Sequence, residues 1–173
     1  LDNVFKSDNI RSFKGSISID TLDMNHPPFP NDTGANSLAL NINLTCKLLK
    51  YSKFRFQNLS TIYESSAKRF SCNALRFDIW EGKIDNASFA YNENINGSYF
   101  TGNFQNLSLT ALLNNYGNFG MSHLHANNTK GFISGQADFS CKFDKNDNIV
   151  PSSIKAKADI RFSQTTISDF KPL

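Results

Sequence analysis

The sequence predicts an all-β fold, mainly antiparallel, with about eight strands and one short helix near 108–116. The expected architecture is a curved sheet or β-groove, with a two-layer β-sandwich as the alternative. Three observations carry this. Apolar residues recur at every second position over long runs, and polar turn signals separate those runs. Aromatic residues make up 13% of the chain, including 16 Phe, against 19% charged, a balance foreign to charge-dominated disordered chains. Period-two alternation gives each strand one apolar and one polar face.

The elements follow in order. Ile17 and Ile19 mark a strand near the start, and the stretch His26-Pro27-Pro28-Phe29-Pro30 must be loop because proline lacks the donor a ladder needs. Over 38–46, Leu38, Leu40, Ile42, Leu44 and Cys46 alternate with Ala39, Asn41, Asn43 and Thr45. Phe54 and Phe56 alternate with Lys53, Arg55 and Gln57; Leu75, Phe77 and Ile79 alternate with Arg76 and Asp78. Glu81-Gly82 is expected as a tight turn into a strand over 83–91. Trp80 falls on the polar side of that alternation, as a sugar-stacking platform or a packed edge residue. Asn96-Gly97 signals a second turn, leading into 98–104. Ser108 is placed to cap a helix over 109–116, with Gly117 as its stop. Ile133, Gly135, Ala137, Phe139, Cys141 and Phe143 share one face of a long strand. Asp144-Lys145-Asn146-Asp147-Asn148 then connects it to a strand with Ile154, Ala156, Ala158, Ile160 and Phe162 on one face, and these two strands are expected to pair antiparallel.

The 173 residues suffice for one domain spanning 1–173. The chain opens on Leu1, has neither a signal-peptide pattern nor an apolar stretch near the ~20 residues of a membrane span, and is expected to be a piece of a longer protein. The net charge of +3 argues against nucleic acid: Lys142, Lys145, Lys155, Lys157 and Arg161 are interleaved with Asp138, Asp144, Asp147 and Asp159. Cys46, Cys72 and Cys141 are odd in number and contain no Cys-x-x-Cys. Cys46 and Cys141 sit on apolar faces, where a thiol behaves as a small hydrophobe, and one disulfide remains open. Asn-x-Ser/Thr sequons at Asn31, Asn43, Asn58, Asn86, Asn96, Asn106 and Asn127 read as a by-product of an Asn-rich composition, with a secreted glycoprotein as the other reading.

No phosphate-binding loop, dinucleotide fingerprint or His-Glu-x-x-His occurs. Gly131-Phe132-Ile133-Ser134-Gly135 has its serine one place too late for a nucleophile elbow. His123-x-His125 places two imidazoles on one side of an extended segment, but a catalytic zinc needs a third protein ligand and His26 is distant. Neither an enzyme, a cofactor nor a metal site is expected.

The last third has a distinctive layout. Leu107-x-Leu109 leads into the helix, followed by Tyr116-Gly117-Asn118-Phe119-Gly120 and Asn128-Thr129-Lys130-Gly131. Then come Ser134-Gly135-x-Ala137-Asp138-Phe139, Asp147-Asn148-Ile149-Val150-Pro151 and a final Asp169-Phe170-Lys171-Pro172-Leu173. This resembles the C-terminal region of AsmA-family envelope proteins in their Bacteroidota form, and Lys14-Gly15-Ser16-Ile17-Ser18-Ile19-Asp20-Thr21-Leu22 is similar to the start of that region. Met121 stands where the family pattern has Gln, and Asn-Thr-Lys-Gly replaces Asn-Leu-Lys-Gly, departures that fit a divergent member. The resemblance implies a β-rich domain at the periplasmic face of the envelope. Its parent would be anchored in the inner membrane by a segment outside this chain and act in outer-membrane assembly, with lipid transport as its proposed role and no catalytic residues.

On that reading, a trough lined by Leu38, Leu40, Ile42, Leu44, Phe54, Phe56, Leu75, Phe77, Ile79, Phe139, Phe143, Ile160 and Phe162 would shelter phospholipid or another envelope lipid, and other envelope proteins would be its partners. The same residues would equally form the closed core of a secreted sandwich that binds a glycan or a protein.

Overall fold

The computed structural model describes residues 12–25, 39–66, 68–121, 124–146 and 148–168. They form one eight-stranded sheet in chain order: β1 (Ser12–Asp23), β2 (Ala39–Tyr51), β3 (Phe54–Ser66), β4 (Arg69–Ile79), β5 (Gly82–Asn92), β6 (Gly97–Ser108), β7 (Thr129–Lys142) and β8 (Lys155–Ile167). Among the described residues one α-helix, α1 (Leu109–Asn115), lies between β6 and β7. From β2 onward the sheet is an antiparallel meander, whereas β1 runs parallel to β2. The expected all-β, mainly antiparallel fold is observed. Of the two architectures it is the open sheet, with no second sheet among the described residues. The Pro-rich loop, Leu38, His26, His123, Asp147 and the segment Asp169 to Leu173 lie outside the described residues.

One expected turn moves by a residue. Ile79 pairs with Gly82, so Trp80 (φ 51°) and Glu81 (φ 66°) are the central residues, the left-handed pair of a type I′ hairpin. Gly82 is instead the first residue of β5. A Cβ there would collide with the backbone carbonyl oxygens of Gln105 and Asn106 on β6. The glycine serves a close approach of strands rather than the turn.

The sheet keeps its apolar residues on one face by an unexpected device. On β4 the apolar positions are Phe70 and Cys72, then Leu75, Phe77 and Ile79; the alternation changes phase between them, at Ala74 (φ 49°). The same switch occurs on β3 at Asn58 (φ 50°), on β5 at Asn86 (φ 46°) and on β6 at Asn106 (φ 51°). Gly131 (φ 119°) and Gln164 (φ 50°) accompany the corresponding irregularity between β7 and β8. The register shifts between neighbouring strands fall at these points. An extra residue in a bulge resets which face the next side chain meets, and it bends and twists the strand. Asparagine tolerates left-handed backbone better than most non-glycine residues, so the Asn of three sequons, at 58, 86 and 106, has a conformational role in the sheet. Asn96 (φ 41°) likewise closes the β5–β6 connection.

α1 forms as its caps dictate. Ser108 Oγ accepts from the Ala111 amide at 3.3 Å, the Tyr116 amide donates to the Leu112 carbonyl at 3.1 Å, and Gly117 (φ 57°) takes the left-handed position beyond. Leu109 packs into a buried cluster with Ile79, Phe104, Leu107 and Ile133, bordered by Phe54, Phe56, Phe77, Trp80, Ile84 and Leu112. This cluster sits at one end of the sheet, and Ile42, Cys46 and Cys141 are buried separately from it.

Candidate functional site

Directly paired residues of neighbouring strands project to the same face, so the register traces the apolar surface strand by strand. One line crosses all eight: Gly15, Ile42, Tyr63, Cys72, Phe89, Phe100, Phe139 and Ala156. Beside it Leu40, Ser65, Phe70, Tyr91, Ser98 and Cys141 form a second line. Towards α1, a third runs through Phe77, Ile84, Phe104, Gly135 and Ile160, and a fourth through Leu107, Ile133 and Phe162.

Away from the helix the face is floored by aromatic rings. Tyr63–Phe70 centroids lie 6.3 Å apart, Phe70–Phe89 5.8 Å, Phe70–Tyr91 5.7 Å and Tyr91–Phe143 6.1 Å. All five residues are only partly buried. Near α1, Phe56 meets Phe77 edge-on at 5.2 Å and lies tilted against Phe54 at 6.2 Å. Trp80, expected on the polar side, instead packs edge-on against Phe54 at 6.1 Å and Tyr116 at 5.8 Å, bordering the core. The hairpin turn explains this: a left-handed residue leaves the strand alternation and turns its ring inward.

The proposed lining residues divide accordingly. Ile79 is within the buried cluster and Phe54, Phe56 and Phe77 border it, all at the covered end. Ile42 and Leu75 are buried; Leu40, Leu44, Phe139 and Phe143 are partly buried on the open stretch. Ile160 and Phe162 are 45% and 63% exposed on β8. Tyr63, Phe70, Phe89, Tyr91 and Phe100 complete the open stretch and were absent from the expected lining. Their alternation is visible in the sequence, but the phase switches at Asn58, Ala74, Asn86 and Asn106 hide that they share a face with Phe56, Phe77, Ile84 and Leu107.

The opposite face is polar and internally bonded. Glu64 accepts from Asn41 at 2.8 Å and from Asn73 at 2.9 Å, Asp138 accepts from Thr101 at 2.6 Å, and Asp78 accepts from Asn58 at 2.6 Å. At the β4–β5 turn a cleft of about 600 Å³ is lined by residues including Arg55, Gln57, Asp78, Lys83 and Gln105.

Burial pushes the Cys72 thiol up, opposed by a hydrogen bond with Thr61, so the thiol stays protonated and apolar on the cross-sheet line. All three cysteines are free thiols, and Cys46 and Cys141 are buried. His125 Nδ1 lies 3.2 Å from Asn118 Nδ2, and its amide donates to Asn128 at 2.8 Å, bonds that hold the loop after α1. No group of three metal-ligating side chains occurs among the described residues. Ser134 Oγ accepts from the Asn106 backbone amide at 2.9 Å and donates to Asn106 Oδ1 at 3.4 Å, both exposed bonds at the β6 bulge.

No family model, curated protein or solved structure matches this chain. What distinguishes it is therefore its own geometry: an apolar face of a single sheet, covered by a helix at one end and lined with partly buried rings at the other.

Proposed function

We propose that the chain is a non-enzymatic lipid-binding β-groove, the envelope-biogenesis module that its resemblance to AsmA-family proteins implies. The observation that carries this reading is the uninterrupted line from Ile42 through Phe89 and Phe100 to Phe139, facing no second sheet among the described residues. A sheet with an apolar face must bury it against something. Each methylene transferred from water onto that face contributes about 0.8 kcal/mol. An acyl chain of roughly 15 Å, half a bilayer core, covers about three strands at their ~4.8 Å spacing. The polar face stays in water, and holding a lipid needs neither base, nucleophile nor metal. The periplasmic face of the envelope, a membrane-anchored parent and envelope-protein partners belong to the same proposal.

Native mass spectrometry with organic extraction, on protein purified without detergent, tests it. Phospholipid is expected at fixed stoichiometry, lost in Phe100→Asp and Phe139→Asp and kept in Tyr99→Asp, with circular dichroism unchanged in all three. A clean protein mass and no uptake from phospholipid vesicles would overturn the lipid reading in favour of a protein- or glycan-binding module.

A further inference from the structure

Among the described residues no strand pairs with the outer edge of β8, which is long and self-complementary. Every one of its 13 residues is exposed, including Ile160 and Phe162. Long exposed edge strands are templates for another strand unless something blocks them. The left-handed residue Gln164 interrupts the strand, leaving a regular stretch over 155–163 with Ile160 one residue from its middle. We propose that two copies of this chain pair antiparallel through β8 about a two-fold axis at Ile160.

In that register Ile160 meets its own mate on the apolar face, and Ala158 of each copy faces Phe162 of the other, small against large. On the polar face Asp159 of each copy lies opposite Arg161 of the other, and Lys157 lies opposite Ser163, so no like charges meet directly. Moving the axis by two residues, to Ala158, exchanges the Asp159–Arg161 pairs for Lys157–Asp159 pairs and adds the repulsion of Lys155 against Arg161. Neither Asp159 nor Arg161 forms an ion pair within the chain among the described residues. The other sheet edge differs: on β1 the acidic residue Asp20 already binds Lys47 at 2.7 Å. A closed, isologous pairing of this kind stops at two copies, and it places both apolar faces on the same side of one continuous sheet. The inference stands independently of the lipid reading.

Sedimentation velocity over a concentration series decides it. The chain is expected to dimerise. Asp159→Arg and Arg161→Asp should each raise the dissociation constant about tenfold or more, by replacing two attractive pairs with like charges. The double variant Asp159→Arg/Arg161→Asp should restore dimerisation. Under mild oxidation Ile160→Cys should give a covalent dimer and Ala156→Cys should not, because only position 160 faces itself. A monomer at every concentration, growth beyond two copies, or a double variant no better than the singles would overturn the proposal.

Discussion

Phe100 and Phe104 stand on the same strand and the same face, yet their surroundings differ. Phe104 is 8% exposed in the cluster with Leu109, whereas Phe100 is only partly buried on the open stretch between Phe89 and Phe139. The alternation that orients both is local, and nothing in it distinguishes them. The difference comes from the β6–β7 connection, which is long enough to carry a helix back over one end of the sheet. The β2–β3 and β4–β5 connections are two residues each and β5–β6 four, while the twelve-residue β7–β8 connection carries only the 3-10 turn Pro151–Ser153. Among the described residues, the large buried cluster therefore lies under the connection that carries α1, and the stretch left open beside it is the candidate binding face.

Matched deletions give the sharpest test of that contrast. Phe104→Ala should lower unfolding free energy by about 3–5 kcal/mol, as for a phenylalanine removed from a packed core. Phe100→Ala should cost about 1–2 kcal/mol, because less of its surface is removed from water. Urea denaturation of the two variants measures both. Equal costs would mean that the open stretch is packed as tightly as the covered end, and the contrast would be lost.

A smaller effect probes the bulges that join the two regions. Ala74 holds φ 49° where a Cβ is unfavourable; Ala74→Gly should stabilise by about 1 kcal/mol through relief of left-handed strain. A loss of stability would show that the bulge imposes no such strain.

The smallest effect lies at the β7–β8 connection, beyond the open stretch. Backbone amides of Asn148 and Asn146 donate to Asp144 and hold its carboxyl below the usual range. A group whose pKa is lowered on folding adds stability above its unfolded value and loses it as pH falls through the folded one. Amide exchange at Asn146 and Asn148 should therefore quicken as pH falls below the ordinary Asp range, relative to the intrinsic rate. Asp144→Asn should remove that pH dependence without touching the covered end.

The strands were legible in the chain alone, because alternation such as Leu40, Ile42 and Leu44 is a property of adjacent residues. So was α1, because Ser108 and Gly117 act within a turn of the helix they bound. The sequence left open whether the apolar faces close on one another, since a sandwich and an open sheet share the same alternation. The tertiary structure decided that question, along with the parallel pairing of β1 with β2 and the inward packing of Trp80. It also joined Phe70 and Cys72 to Phe77 and Ile79 on one face across the bulge at Ala74. The physical reason is common to all of these: a strand's own residues set its two faces, but only contacts between segments distant in the chain set what each face meets.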